Sequence, residues 1–554
     1  MNKQRGLYLP QLSAKRLTRR RLMQVAGIGA AGAIGAAYLG CGGDNKEEAL
    51  PTLSAGTTPE TTTKPVRGGS ITIAIGSAFD SFDPHVSGGI YAKWAMMALY
   101  DGPLADELDE NNNLVLVPHL AKSWELPDQL SLIMNWREAV RFQDGTDFNA
   151  AAAKAYFDNV LNPETKSIHA AELKALDRVE NSNDLTSTLF LKEADAQFIY
   201  YMNDATAAMP SPAAVQKWGS DYGTHPVGTG AFILKGQQPG ASYEFERDPT
   251  HWRPDQPYLD GYKCRVIPDK AVAAAALKAG EVDYAEQSEL DVQDILSFQQ
   301  DSDFDVLVEG CDSLMQIWIY NERPPGNNVH LRRAISYAIN RQEFVDKYNG
   351  LAFVSTGPMP KHSAYENPSE PDPEYNPEKA KEELKAAGYE DGITIKMKAI
   401  GDPLVQSDVE LLAAQLSQVG IKVQPEFGSA ASAAATLANG DYETAFGSWV
   451  TTDVGDLQYA FRLLYHSTGY FNGGSIKDPE MDSLIDQASA EPDSKKRREL
   501  YWQVMRIINE NAYMLYLIGR PIIKVVRKGI HGFNTTYNPF VLASDKEARK
   551  LWRE

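Results

Sequence analysis

The chain has 554 residues, 43% hydrophobic and 23% charged, a balance that excludes a wholly disordered chain and allows roughly three or four domains. Its 54 Lys and Arg against 74 Asp and Glu leave a formal net charge of −20, which argues against nucleic acid as a partner. Three cysteines and nine scattered histidines exclude a disulfide scaffold and offer no metal-ligand spacing, so neither a metal nor another cofactor is expected.

The acid excess begins only after the N-terminus. Residues 1–43 contain Lys3, Arg5, Lys15, Arg16, Arg19, Arg20 and Arg21 and no acid, and from Leu22 to Gly43 the chain is uncharged and rich in Ala, Gly, Ile and Val. A basic stretch followed by a modest apolar run is the pattern of an export signal. Thr18-Arg19-Arg20-Arg21-Leu22-Met23 resembles the twin-arginine export motif. Tyr38-Leu39-Gly40-Cys41 is similar to a bacterial lipoprotein cleavage box, with Tyr38 where Leu is usual. Residues 1–41 are therefore expected to be an export signal, with Arg19 and Arg20 read by the export machinery and Cys41 lipidated. The other reading is an uncleaved apolar anchor. Either places the body outside the cytoplasm and tethered to the membrane; two acyl chains suffice for stable anchoring. Residues 42–66, rich in Thr, Pro and Glu, follow as a flexible tether.

The folded part opens with Ile71, Ile73 and Ile75 alternating with small residues, which predicts a strand. Further strands are expected at 131–136, 186–192, 242–247, 262–267, 315–320, 393–399 and 421–425. A helix over 331–345 follows from Leu331, Ala334, Ile335, Ala338 and Ile339 on one face. Asn376-Pro377 opens another helix, closed by Gly388. Apolar stripes through Met481 and Ile485, and through Leu500 and Val504, give two more. Strands and helices interleave throughout, an α/β pattern. A phosphate loop, HExxH, GxSxG and GxGxxG are all missing, which removes the easily recognised enzyme classes, and no catalytic residues are assigned.

Eight segments, in order, resemble the family 5 solute-binding proteins of ABC importers, the group of oligopeptide, dipeptide and nickel receptors. They are Phe82-Asp83-Pro84-His85; Leu99 to Leu104 (LYDGPL); Pro118 to Trp124 (PHLAKSW); Trp136 to Thr146 (WREAVRFQDGT); Pro226 to Phe232 (PVGTGAF); Arg247 to Trp252 (RDPTHW); Arg332 to Arg341 (RRAISYAINR); and Asn376 to Tyr389. Three of these have readings of their own. Gly228 and Gly230 are expected at positive φ in a chain crossing, Asp144-Gly145 in a turn, and the 331–345 helix in the core.

The resemblance implies a type II periplasmic-binding-protein fold: two lobes with a hinge, and an extra domain inserted in lobe I. Lobe I would comprise 67–105, 225–314 and 520–554, the extra domain 106–224, and lobe III 315–519. It also implies a monomeric receptor, not an enzyme, that captures a small solute, a peptide or similar, in a closing cleft and delivers it to permease subunits. An oligosaccharide or metal-chelate receptor of the same fold is the alternative, and a secreted glycoside hydrolase a third reading.

Gly447 to Asp456 (GSWVTTDVGD) is similar to the stretch that, in peptide-binding relatives, sets a carboxylate on the ligand's ammonium. Asp453 and Asp456 are the candidate carboxylates, and Trp449 a flat apolar wall. Here the acid falls four residues after the tryptophan instead of three, and Asp456 precedes Leu457 instead of proline. A solvated loop carboxylate and a core indole are the alternative readings. Further ligand candidates are Tyr91 with Trp94, Trp318 with Tyr320, and Arg462 with Tyr465; helix packing and a surface salt bridge are their other readings. Cys264 and Cys311 either pair or stay as buried free thiols.

Overall fold

The computed structural model describes residues 64–87, 90–108, 114–170, 172–196, 198–202, 206–359, 366–367, 369–449, 458–472, 475–491, 493–533 and 549–554. The chain divides into two units, Met1–Pro51 and Thr52–Glu554, and every described residue lies in the second. The export signal with Arg19, Arg20 and Cys41, most of the tether, Asp453 and Asp456 lie outside the described residues.

Strand β1 (Ser70–Ile75) buries Ile71, Ile73 and Ile75 against Met96, Leu99, Tyr243 and Tyr262. Strands β2 (Leu104–Leu108) and β3 (Leu114–Pro118) form a hairpin that leads into a separate antiparallel sheet. That sheet holds β4 (Ala121–Asp128), β5 (Ser131–Trp136), β6 (Leu176–Asn183) and β7 (Thr186–Leu191) in the order β4-β5-β7-β6. Helix Ala150–Leu161, capped by the Asn149 side chain, covers it over a core of Trp136, Phe148, Phe157 and Leu189.

The chain then returns to the first core through β8 (Phe232–Gln238), β9 (Ser242–Arg247) and β10 (Gly261–Val266), the last running parallel to β1. After the short β11 (Tyr284–Glu286) comes β12 (Phe304–Ile319), a strand of 16 residues. Beyond β13 (Phe353–Val354), the strands β14 (Ile393–Ile400), β15 (Ile421–Gly428) and β16 (Thr444–Trp449) run parallel to one another, with helices Pro403–Ser417 and Ala430–Asn439 as the crossovers. Strand β17 (Met514–Arg527) has 14 residues, and β18 (Ile530–His531) pairs with β19 (Trp552–Arg553) at the end.

These strands build one large sheet in the order β15-β14-β16-β12-β17-β11-β1-β10-β9-β8. The long antiparallel pair β12–β17 joins its two halves. The C-terminal part of β12 carries β16, and the C-terminal part of β17 carries β11. Strands of globular proteins usually run about 5–6 residues, so two of this length belong to both halves at once. The molecule is a mixed α/β structure.

Several expectations need correcting. The strand expected at 315–320 begins eleven residues earlier, at Phe304, and no strand was expected over Met514–Arg527. The single helix expected over 331–345 is two, Val329–Ala338 and Arg341–Lys347, with Ile339 in extended backbone between them. The break is held by the buried Arg341 guanidinium, which donates to the carbonyls of Ser336, Ile339 and Tyr516. It satisfies the carbonyls that a helix end exposes, and burial pushes its pKa down to about 10.

Gly228 and Gly230 are absent from the positive-φ glycines. Their need is closeness instead, since a Cβ on either would run into the Leu99 backbone. Gly145 does take φ +84°, in the turn expected of Asp144-Gly145. Cys264 is a buried free thiol on β10, and Cys311 lies on β12, four strands away in the sheet. At about 4.8 Å per strand that is about 19 Å, against the roughly 7 Å limit for bridging Cα atoms, so the pairing is excluded.

Candidate functional site

Because β14, β15 and β16 are parallel, their C-terminal ends share one edge, where ligands of open α/β sheets settle. Lys398 to Ile400, Glu426 to Gly428 and Ala445 to Ser448 end there. Helix Ala430–Asn439 crosses above them, opened by the Ser429 cap and closed by Gly440 at φ +65°. Its small residues leave a cavity of about 300 Å³ between helix and sheet, floored by Trp318. Ile400, Phe427, Leu437 and Phe446 give it an apolar lining, and Ser432, Thr436 and Ser448 supply hydroxyls.

The charges at this edge are few. Lys398 Nζ lies 2.8 Å from Asp441 Oδ2 and holds that carboxyl below its ordinary range. Glu426 is the single carboxylate among the described lining residues.

Trp318 is 3% exposed and pairs across the strands with Ala445. Next to Ala445 on that face stands Gly447, where a Cβ would touch the indole at 3.5 Å. The glycine therefore puts no side chain between the indole and the cavity. The indole Nε1 of Trp318 and the Nε2 of Gln316, two residues back on the same strand face, are buried with no hydrogen-bond partner. Leaving such a donor unmet costs about 1–3 kcal/mol, so both stand ready for an acceptor.

The other sequence candidates separate. Tyr320 packs edge-on to Tyr442, with the Arg323 guanidinium 3.9 Å over its ring. Arg462, on helix Gln458–Leu464, is bound to Asp486 at 2.8 Å. Tyr465 is buried and shares a 2.6 Å hydrogen bond with the Tyr516 hydroxyl. Tyr91 and Trp94 fall within helix Ile90–Leu99 of the other half-sheet, described at backbone level. Trp449 ends β16 opposite Leu314, also at backbone level.

Leu314 has a second partner, Gly519 on β17, so Trp449, Leu314 and Gly519 stand in one row across three strands. In the next row Ser313 pairs with Arg520, directly after the register shift that interrupts β12–β17 between Glu309 and Ser313. Arg520 donates Nε and Nη2 to Ser313 Oγ at 3.2 and 3.0 Å. Sequence reasoning singled out neither Arg520 nor Gln316. The signal for Arg520 was an arginine and a proline, Arg520-Pro521, set in the middle of an otherwise apolar run.

Comparison with known proteins gives a consistent result. The family model described as bacterial extracellular solute-binding proteins, family 5 middle, matches residues 115–472. The glutathione-binding protein GsiB of Escherichia coli is 29% identical over 476 residues, covering 84% of this chain and 91% of that one. Among solved structures, the periplasmic binding protein DppA of Helicobacter pylori in complex with the peptide STSA superposes with a TM-score of 0.77 at 22% identity. The match covers 88% of this chain and 99% of that one. The oligopeptide-binding protein AppA of Bacillus subtilis, in complex with a nonapeptide, gives 0.74 at 21% identity, covering 89% and 100%.

Proposed function

The chain belongs to the bacterial extracellular solute-binding proteins of family 5, and from that membership we propose that it captures a peptide or peptide-like solute in the cleft at the ends of β14, β15 and β16. It is the substrate-binding receptor of an ABC importer and works outside the cytoplasm. Among the described residues no helix is long and apolar enough to cross a membrane. Anchoring through Cys41, export through Arg19 and Arg20, and a monomeric state complete the reading.

The observation that carries the ligand site is the roofed cavity beside the two strands that belong to both half-sheets. Rotation about β12–β17, near residues 314 and 520, would move lobe III (315–519) over lobe I (67–105, 225–314 and 520–554), with 106–224 carried as the inserted domain. A ligand favours the closed state only through contacts to both lobes. Trp318, Trp449, Asp453, Asp456 and Arg462 would serve from lobe III and Tyr91 from lobe I. The peptide ligands named for DppA and AppA, and the glutathione named for GsiB, support a peptide-like solute. A glycosidase needs two carboxylates about 5–10 Å apart, which the single described lining carboxylate, Glu426, does not favour.

A thermal-shift screen of the full chain against peptides, sugars and metal chelates tests this. A ligand at 100 times its Kd stabilises by about 2.7 kcal/mol. Stabilisation by peptides without their turnover is expected. A shift with sugar alone, or cleavage of the bound solute, would overturn the reading.

A further inference from the structure

We propose that the cavity under helix Ala430–Asn439 is a side-chain pocket that selects an uncharged hydrogen-bond acceptor on the solute, best a carboxamide; this rests on the solute-receptor reading above. From β14 the chain crosses to β15 on one side, and from β15 it crosses back to β16 on the other. The strand order thus reverses between β14 and β16, and ligands of open α/β sheets bind at such a reversal, outside the carboxyl ends of the strands. The cavity lies at those ends. Trp318 stands beside Ala445, Ala445 beside Lys398, and Lys398 beside Glu426, one row across four strands, and all four line the cavity. Paired residues share a face of the sheet, as do residues two apart on one strand. Gln316, paired with the lining residue Gly447, is therefore on the cavity face as well.

Two buried donors on that face await an acceptor. Trp318 is 3% exposed and Gln316 1%, and among the described residues Trp318 Nε1 and Gln316 Nε2 have no hydrogen-bond partner. A Cβ on Gly447 would meet the indole at Cζ3 and Cη2, so the ring faces that strand by its far edge and Nε1, on the other ring, stays clear of it. Charge decides which acceptor fits. Lys398 is matched by Asp441 at 2.8 Å, and Glu426 has no ion-pair partner among the described residues. A solute carboxylate would lose its water beside Glu426 with no free cation among the described lining residues. An aliphatic side chain would fill the space and leave both donors unmet. A carboxamide suits both conditions, since it is neutral and carries an acceptor oxygen with two N–H donors. Ser432 Oγ, whose own proton goes to the Ser429 carbonyl at 2.7 Å, keeps lone pairs for those donors. At about 300 Å³ the cavity has room for such a group, a water molecule taking about 30 Å³.

The test uses the full chain and three sets of tetrapeptides made of alanine and glycine, each with one glutamine, one leucine or one glutamate at any position. These side chains are close in size and differ in their acceptor and charge. The wild type should need at least about tenfold more of the leucine or glutamate set than of the glutamine set for the same thermal shift, two unmet donors being worth that or more. Trp318→Phe and Gln316→Leu should each shrink the advantage of glutamine over leucine. That ratio is the readout, because a change in the fold alone would move both sets together. A wild type that responds equally to glutamine and leucine, or prefers glutamate, would overturn the proposal, as would a glutamine advantage kept in full by either variant. If none of the sets shifts the wild type while a sugar does, the peptide-receptor reading itself falls. An equal response to all three sets, by contrast, removes the pocket's selectivity and leaves that reading standing.

Discussion

The indole Nε1 of Trp252 donates to Asp101 Oδ2 at 2.8 Å across 151 residues of sequence. His119 Nε2 lies 3.4 Å from the other carboxylate oxygen, and both Asp101 and His119 are fully buried. Asp101 follows the first helix, His119 precedes the inserted sheet, and Trp252 follows β9, so the cluster clamps that sheet to its parent core. Removing the carboxylate takes the acceptor away from the buried Trp252 Nε1 donor, which costs at least about 1–3 kcal/mol. Asp101→Ala should lose stability on that scale in denaturant unfolding, and Trp252→Phe about 1–3 kcal/mol. A double mutant no worse than Asp101→Ala alone would confirm the coupling; simple additivity would refute it.

The same cluster shows what could be read from sequence. Asp101, His119 and Trp252 each lie in a different segment among the eight that carry the family resemblance. Gln143, in another, hydrogen-bonds the carbonyls of Gly230 and Phe232 and accepts from Gly228 N. Local patterns of this kind betray the scaffold because each piece keeps its own turn or strand chemistry. The cleft was less legible. Ser313 and Arg520 meet across 207 residues, and their register depends on a bulge no local pattern announces. The break at Ile339 escaped for a related reason: the apolar stripe runs on past it, while Arg341 takes its partner from Tyr516.

Gly228 and Gly230 press on the Leu99 backbone, and the Gly230 amide donates to the Leu99 carbonyl at 3.0 Å. A methyl group there has backbone on its far side and cannot be relieved by turning a side chain. Gly228→Ala should therefore lower the unfolding free energy by at least about 1–3 kcal/mol. Gly236→Ala is the control, because a Cβ at Gly236 meets nothing within 4 Å. Equal thermal midpoints for the two variants would refute the close-approach account.

Asp83 carries a pH dependence with a defined sign. Burial works to raise its pKa, but hydrogen bonds from the His85 side chain and backbone outweigh it and hold the carboxyl below its ordinary 3.8. A carboxyl that ionises more readily in the folded state adds stability that is full above its unfolded pKa and is lost as pH falls through the folded value. The thermal midpoint of Asp83→Asn should thus lie below that of the wild type at pH 7, with the gap closing as pH drops below the ordinary 3.8. A gap of the same size at pH 3 and pH 7 would show that Asp83 acts by shape and not by charge.

Gly447 separates binding from folding. It lies on β16 opposite Gln316, its φ is not positive, and a Cβ there reaches the Trp318 ring at 3.5 Å, an ordinary contact. The fold therefore tolerates a side chain at this position, and a β-branched one favours the strand. That side chain would occupy the space over the indole which the cavity keeps open. Gly447→Val should keep or slightly raise the ligand-free thermal midpoint while weakening solute binding tenfold or more, read as a smaller ligand-induced shift. Trp318→Phe, which keeps the apolar floor and removes the unmet Nε1 donor, trades a buried polar cost of about 1–3 kcal/mol against the space left by the smaller ring. The ligand-induced shift, and not the ligand-free midpoint, is therefore the readout: it should shrink where that donor meets an acceptor on the solute. Gly447→Val binding solute as tightly as the wild type would place the ligand elsewhere in the cleft.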